Sequence, residues 1–274
     1  MALSRCVVVK LGGEIVRSHE LPLLARDLVA LQKGGHAIVV VHGGGPQVTE
    51  LQRRLGQEPT IVAGRRVTDA AALEALKMSV AGAVNVDLCA ALVAAGGSPV
   101  GLHGASALVV RANKRPPVVV AGGGDTPIDF GCVGDVVGVN ESLLALLLGA
   151  GHIPVVACLA ADERGAVYNI NADAVASHMA RALDAEALVL VTDVAAVLSD
   201  PSDPSTRIER LTQADAKQAI AAGRIRGGMI PKLTEGFGAL EQGVRSVLVV
   251  GKLRAGDLAR AVTSPGAVGT VLTN

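Results

Sequence analysis

Aromatic residues are almost absent from the chain, which contains no Trp, one Tyr and two Phe among 274 residues. Proteins that bind single-stranded nucleic acid stack the bases on aromatic side chains, so this composition disfavours that class. An excess of one charge is also absent, because 25 Lys and Arg residues balance 25 Asp and Glu residues. Nucleic-acid binders usually carry a basic excess, and we therefore expect no nucleic-acid partner.

Closely spaced cysteines are absent as well. The chain has four cysteines, scattered and without a C-x-x-C pair: Cys6, Cys89, Cys132 and Cys158. This spacing is typical of neither a zinc site nor a disulfide framework. We therefore predict no metal bound by the protein itself.

The chain also lacks a clear targeting or membrane segment. The apolar stretch near the N-terminus is too short for a signal peptide. The uncharged segment 143–161 approaches the length of a spanning helix, but Gly149, Gly151 and Pro154 divide it into a helix, a turn and a strand. We therefore predict a cytoplasmic protein with no membrane partner.

Apolar residues make up half of the chain and charged residues 18%, a composition that excludes a disordered protein. Longer Ala- and Leu-rich segments alternate with short β-branched runs at 6–10, 37–41, 187–192 and 246–250. Near-continuous apolar strands alternating with helices predict an α/β fold with a mainly parallel sheet. A long helix is predicted over residues 69–95, and a short hairpin strand over 118–120.

Glycine-rich turns follow the first two predicted strands. Gly12 and Gly13 follow the first strand, and Gly44 and Gly45 follow the second and precede a helix. Glycines let backbone N–H groups approach a ligand, and a helix N-terminus favours an anion. Each turn alone is often only a turn. Together they lie at the strand ends where α/β sheets bind ligands.

Basic and polar residues accompany these turns. Lys10 ends an apolar run and needs an anionic partner there, and Lys232 follows another glycine-rich turn at a helix start. A compact ammonium suits a phosphate, although Lys232 taken alone is better explained as a solvated lysine on a helix. Arg66 could bind a carboxylate through two hydrogen bonds, or it is a surface arginine.

Two more polar groups lie at predicted strand ends. Asn169 and Asp173 belong to a strand-to-helix turn, and Asp193 follows the strand 187–192. Taken alone, each acidic residue is well explained as a helix cap or turn residue.

The motifs KLGG, HGGGPQ, GRRVTD, NINAD, TDVAAVL and GGMIPK occur in this order over nearly the whole chain. In order and spacing they resemble the amino acid kinase family. The resemblance implies a three-layer αβα sandwich with a mainly parallel central sheet and two lobes. Residues 1–184 would bind the acyl substrate and form the dimer, and residues 185–274 would bind ATP.

The resemblance also implies roles for individual residues. Lys10 and Lys232 would flank the transferring phosphoryl group, and Asp173 would orient both lysines. Amide groups would bind the γ-phosphate and the acceptor carboxylate at Gly12, Gly13, Gly44 and Gly45. Arg66 and Asn169 would bind the acyl substrate. The nucleotide pocket would be lined by Thr192, Asp193, Leu198 and Met229.

Within the family, the motif set is similar to members that phosphorylate the γ-carboxylate of N-acetyl-L-glutamate for arginine synthesis. ATP would be the donor, with Mg²⁺ carried by the nucleotide. A carboxylate acceptor is ionised at pH 7, so the reaction needs positioning and cations, not a base. Two alternatives remain: an aminoadipate-type carboxylate kinase of lysine synthesis, and a non-catalytic nucleotide-binding member of the fold.

The assembly is predicted to be a homodimer. The segment 69–95 offers small and apolar residues for close helix contact, among them Met78, Gly82 and Val86, although it is equally typical of a core helix. In the family, arginine-inhibited members resemble one another in an additional N-terminal helix that links dimers into a hexamer. Residues 1–5 are too short for such a helix, so we expect weak or no inhibition by arginine.

Overall fold

The computed structural model describes residues 5–120, 122–200 and 202–274. Its strands are β1 (Cys6–Leu11), β2 (Ala37–His42), β3 (Ile61–Val62), β4 (Arg65–Arg66), β5 (Pro99–Leu102), β6 (Val110–Lys114), β7 (Gly134–Val139), β8 (Ile153–Ala157), β9 (Leu159–Ala161), β10 (Val167–Asn169), β11 (Ala187–Thr192), β12 (Arg210–Thr212), β13 (Val247–Gly251) and β14 (Thr270–Thr273). Its α-helices are α1 (Gly13–Val16), α2 (Leu21–Lys33), α3 (Gly45–Arg54), α4 (Ala70–Leu76), α5 (Asn85–Ala94), α6 (Glu141–Gly149), α7 (Ala172–Ala182), α8 (Gln213–Ala221), α9 (Met229–Glu241) and α10 (Asp257–Thr263). A π-helical segment, Lys77–Val84, joins α4 to α5, and a short 3-10 helix spans Pro204–Thr206.

A central sheet of eight strands runs in the order β12-β14-β13-β11-β1-β2-β8-β5. The six strands from β13 to β5 are parallel, and β14 pairs antiparallel with β13. β1 lies in the middle, between β2 and β11, so the sheet continues without a break from the first half of the chain to the second. This is the mainly parallel sheet that the sequence predicts.

Helices cover both faces of the sheet because successive residues of a strand point to opposite sides. Val8 and Val39 face one core, which also contains buried residues of α3, α6, α7, α8 and α9. Val7 and Val40 face the other core, with α2, α5 and α10. The molecule therefore has three αβα layers.

A separate four-stranded sheet has the order β10-β9-β6-β7. It leads into α7 through Asn169 and Asn171, and the Asn171 side chain accepts a hydrogen bond from the Asp173 amide at 3.0 Å. This cap begins α7 at Ala172 and orients the turn that carries Asp173.

The long helix predicted over 69–95 is present, as a run of 25 residues, Ala70–Ala94, that begins at the Asp69 cap and includes the π-helical segment. Its first part packs in one core through Leu73 and Leu76, and its last part packs in the other through Leu88 and Leu92. Among the described residues it is the one helix long and apolar enough to cross a membrane, a test that core helices of globular proteins also pass. The segment considered in the sequence, 143–161, is divided into α6 and β8 as predicted.

The strand predicted over 118–120 is wrong. Val118 forms a single antiparallel bridge with Ile128, through two backbone hydrogen bonds of 3.0 and 3.1 Å. Pro116 and Pro117 have no N–H and stop the ladder before Val118, and no bridge is described at Val119 or Val120. The predicted short N-terminal segment 1–5 lies, apart from Arg5, outside the described residues.

Candidate active site

The two glycine-rich turns meet at the carboxyl ends of β1 and β2. These strands pair in parallel with Leu11 beside His42, and the Gly43 amide donates to the Leu11 carbonyl at 3.2 Å. The turns approach so closely that a Cβ on Gly13 would lie 3.0 Å from the Cα of Gly44. A side chain at Gly13 would therefore push the two turns apart.

Open space adjoins this contact. A Cβ on Gly45, the first residue of α3, would meet no atom within 4 Å, and one on Gly12 would meet only the Val191 carbonyl at 3.9 Å. The N-terminus of α3 therefore opens onto free space, where its amide groups favour an anion. The four predicted glycines thus lie together at the carboxyl ends of β1 and β2.

Lys10 and Asp173 form a buried ion pair beside these turns. Their side-chain atoms Nζ and Oδ1 are 2.8 Å apart, and the two residues are 7% and 8% exposed. Lys10 comes from β1 and Asp173 from the first turn of α7, which packs against β1. Oδ1 is in contact with the Lys10 ammonium, and a carboxylate oxygen can accept from more than one donor. This atom has room in its coordination for a second donor.

Lys232 is not part of this pair. It lies in the first turn of α9, and its Nζ donates to the Gly228 carbonyl at 3.3 Å. The structure therefore brings Lys10, and not Lys232, into contact with Asp173. α9 nevertheless packs against α7, the helix that carries Asp173.

Arg66 and Asn169 lie on neighbouring segments. Arg66 Nη2 donates to the Gly45 carbonyl at 3.1 Å and to Thr49 Oγ1 at 2.6 Å, which ties β4 to the start of α3. Burial lowers the pKa of Arg66 from its usual value. The Asn169 side chain donates to Thr68 Oγ1 at 3.0 Å. Arg66 thus contacts the glycine turn at Gly45, and Asn169 contacts Thr68, which lies two positions after Arg66.

The four predicted nucleotide residues lie in the second half of the chain. Thr192 is buried at the end of β11 and donates to the exposed Asp193 carboxylate at 2.9 Å. Leu198 forms a bridge with Arg207, and Met229 begins α9. Among the described residues, no side-chain hydrogen bond joins these four to the glycine turns, and their shared role stays a prediction.

Glu235, which belongs to none of the predicted site residues, lies one helical turn after Lys232 on α9. Burial and the nearby Asp173 raise the pKa of Glu235, while Arg65 and Arg115 oppose the rise. This carboxylate therefore lies close to the charges of the site. Its spacing of three residues from Lys232 was the available sequence signal.

Two surface clefts of about 340 and 420 Å³ lie elsewhere, and Arg111 lines both. Neither contains a predicted site residue. We assign the chemistry to the Lys10 region because the glycine turns and the buried ion pair converge there. Among the described residues, no group of three or more His, Cys, Asp and Glu could hold a metal ion.

Comparison with known proteins extends this description. The sequence profile described as the Amino acid kinase family matches residues 5–251. The chain belongs to the amino acid kinase family. Its β1 lysine, glycine turns and αβα layers are thus features of a family member, and the predicted family and fold class are confirmed.

Individual relatives within the family are close. The chain is 56% identical to acetylglutamate kinase of Anaeromyxobacter dehalogenans, over 98% of this chain and 99% of that protein. It is 54% identical to acetylglutamate kinase of Sorangium cellulosum, over 97% and 94%. Among solved structures, the smu.665 protein of Streptococcus mutans has a TM-score of 0.78 and 27% identity, with 98% of each chain covered. The prediction of a kinase is confirmed.

Proposed function

We propose that the chain transfers the γ-phosphoryl group of ATP to the γ-carboxylate of N-acetyl-L-glutamate, as its relatives' name implies. The observation that carries the residue assignment is the Lys10–Asp173 pair, 2.8 Å long and buried beside two glycine turns. A buried cation at the end of a parallel strand, with helix amides opening nearby, suits a phosphoryl group in transfer. Identity above 50% over nearly the full length of both chains supports the substrate.

The reaction breaks the bond between Pγ and the β,γ-bridging oxygen of ATP and forms a bond between Pγ and a carboxylate oxygen. The acceptor is already ionised at pH 7, so no residue has to remove a proton. Lys10 stabilises charge on the phosphoryl oxygens, and amides of the glycine turns donate to them. Mg²⁺ enters with the nucleotide as part of the substrate.

Lys232 completes the site when α9 moves toward α7. Asp173 is buried and lies on the helix against which α9 packs, and its carboxylate can accept from a second donor besides Lys10. It can therefore receive the Lys232 ammonium in place of the Gly228 carbonyl. This closure would put a second cation on the opposite side of the phosphoryl group from Lys10.

The proposal divides the chain into an acyl-substrate lobe, 1–184, and an ATP lobe, 185–274. Arg66 and Asn169 lie in the first part and Thr192, Asp193, Leu198 and Met229 in the second. We expect Arg66→Ala to raise the KM for N-acetylglutamate and to leave the KM for ATP nearly unchanged. A rise in the ATP KM alone would contradict the lobe assignment.

The experiment that tests the function is a substrate panel. The chain is incubated with Mg-ATP and one acceptor: N-acetylglutamate, N-acetylaspartate, free glutamate, free aspartate or N-acetyl-aminoadipate. Acyl phosphate is trapped as the hydroxamate. We expect N-acetylglutamate to be preferred, because a site built for the acetyl amide leaves its partners unpaired with a free amine. Comparable turnover on free glutamate would refute the assignment, and preference for aminoadipate would favour the lysine-type alternative.

A homodimer in the cytoplasm is the remaining part of the proposal. The helix Ala70–Ala94 exposes large apolar side chains, with Met78 51%, Val86 62% and Val93 60% exposed. A two-fold contact between two copies of this helix would cover them. Light scattering tests it: we expect a dimer for the unmodified chain and a monomer for Val86→Glu, and an unmodified monomer would refute it.

A further inference from the structure

A buried hydrogen-bonded pair lies directly behind the glycine turn. His42 ends β2 and is fully buried, and Asn85 begins α5 and is 5% exposed. The Asn85 side-chain amide Nδ2 lies 2.9 Å from His42 Nε2, and His42 Nδ1 lies 3.0 Å from the Gly43 carbonyl. The pair thus joins the long helix to the first glycine of the turn.

The neighbours of this pair fix the direction of each hydrogen bond. Asn85 Nδ2 also lies 3.0 Å from the Val155 carbonyl, which only accepts, and the Cys89 thiol donates to Asn85 Oδ1 at 3.8 Å. The amide atom of Asn85 that faces these two partners is therefore the nitrogen, and it donates to both the Val155 carbonyl and His42 Nε2. Because Nε2 accepts, the proton of the neutral imidazole is on Nδ1, and it is donated to the Gly43 carbonyl.

The same helix, Ala70–Ala94, also packs against the Gly43–Gly45 turn through apolar side chains. A Cβ on Gly44 would lie 2.8 Å from Val80 Cγ2 and 3.5 Å from Val84 Cγ2. Both valines belong to the π-helical segment Lys77–Val84, which directly precedes Asn85. A π-helix has a wider turn than an α-helix, and such segments often occur at functional sites. Here it brings the two valines and the amide to one side of the glycine turn.

We propose that Asn85 and neutral His42 act as a positioning pair that holds the Gly43–Gly45 turn in the geometry required for phosphoryl transfer. The inference rests on the proposed function, in which amides of this turn bind the reacting groups. Neither residue touches the substrate. Asn85 fixes the tautomer and the ring of His42, and His42 fixes the carbonyl of Gly43, which orients the two peptide groups that follow.

The charge state of His42 agrees with this arrangement. Burial lowers the pKa of His42 to about 4, against the smaller opposing effect of the hydrogen bond to Gly43. A protonated ring would direct an N–H at the Asn85 amide, so two donors would face each other. The neutral ring is the form that both hydrogen bonds require.

The test removes each partner separately and together. His42→Leu and Asn85→Leu each replace the polar side chain with an apolar one of similar size and delete its hydrogen bonds. We expect each to lower kcat by as much as about 100-fold, the effect of a small misplacement of reacting groups, while the KM for ATP changes by less than about twofold. The double variant loses no more than the worse single variant, because the residues act as a unit. His42→Asn, whose shorter side chain can still donate an N–H to the Gly43 carbonyl, is expected to recover more of the activity than His42→Leu.

The chain offers a matched control in His36. It is also buried and directly precedes β2, and its ring makes one hydrogen bond among the described residues, to the Leu31 carbonyl. His36→Leu therefore removes a buried imidazole far from the glycine turn, and we expect kcat to stay within about twofold of the unmodified chain. Equal losses in the His36 and His42 variants, or additive losses in the double variant, would overturn the proposal.

Nuclear magnetic resonance separates a failure of this inference from a failure of the function. The ¹⁵N shifts of His42 in the unmodified chain are expected to show a neutral ring at pH 7, protonated on Nδ1, and Asn85→Leu is expected to shift the Nε2 signal. This signature is independent of turnover. Absence of N-acetylglutamate kinase activity would refute the function alone. A charged ring or a proton on Nε2 would overturn the positioning pair, even where the leucine variants fail to fold.

Discussion

Replacing Lys10 with methionine separates the stability of the buried ion pair from its chemistry. Methionine keeps an unbranched side chain in the strand and removes the charge. At an effective dielectric constant of about 20, unit charges 2.8 Å apart attract by about 6 kcal/mol. Desolvation of both ions opposes most of this attraction. The stability of the variant therefore depends on the charge that is left, because Lys10→Met leaves the Asp173 carboxylate buried without its cation.

We expect Lys10→Met to lower the free energy of unfolding by about 3–5 kcal/mol, the usual cost of breaking a buried pair. We expect kcat to fall by about 100- to 1,000-fold, the usual effect of losing one transition-state electrostatic partner. The double variant Lys10→Met/Asp173→Leu removes both charges, so it regains most of the lost stability but none of the activity. Urea denaturation measures the first quantity, and hydroxamate trapping measures the second.

The exposed pair of Lys114 and Asp129 provides the control. Its atoms are 3.2 Å apart, and each side chain is about half exposed. Lys114→Met is expected to cost less than about 1 kcal/mol, because water screens such pairs. Two results would refute the reasoning: a double variant no more stable than Lys10→Met, or a Lys10→Met enzyme that keeps kcat within tenfold of the unmodified chain.

Three further predictions use other positions. Lys232→Ala is expected to lower kcat by about 100- to 1,000-fold with little effect on urea stability, because Lys232 makes only a 3.3 Å hydrogen bond to a carbonyl; equal losses of stability and activity would contradict its catalytic role. Gly44→Ala places a Cβ 2.8 Å from Val80 Cγ2 and is expected to lower the melting temperature and to reduce the free energy of unfolding by about 1–3 kcal/mol. A Cβ on Gly45 meets open space, so Gly45→Ala is expected to keep the melting temperature of the unmodified chain. The pKa of His42 falls from 6.5 to about 4 on folding, so the unfolded chain binds more protons than the folded chain between these pH values. The free energy of unfolding therefore decreases as the pH falls through this range, by about 1.4 kcal/mol per pH unit from this group. The urea midpoint of His42→Gln is expected to fall less steeply over the same range.

The main elements of the fold follow from local sequence patterns. Apolar runs of about five residues define β1, β2, β11 and β13 to within one residue at each end. This succeeds because strands buried on both faces are apolar throughout. The short strand predicted at 118–120 is wrong because a local run of valines does not reveal whether a partner segment lies beside each of them, and among the described residues Val118 alone forms a bridge.

The glycine turns and the strand-end lysine were recognisable from the residues themselves, whereas the contact of Lys10 with Asp173 was implied only by the resemblance to the amino acid kinase family. Lys10 and Asp173 do form the predicted contact, over 163 positions of chain. The contact of Lys232 with Asp173 is not formed in the structure, because its position depends on how α9 sits against α7. That arrangement is set by packing between helices and not by any motif.

Tertiary structure alone decided the features behind the site. The π-helical segment in the long helix and the placement of Asn85 against His42 have no local signature. Residue types and their periodicity determine which segments are strands and helices, because those preferences act over a few neighbours. The partner of a buried polar side chain is determined only when separate segments pack together, because a hydrogen bond or an ion pair depends on ångström-scale distance and direction.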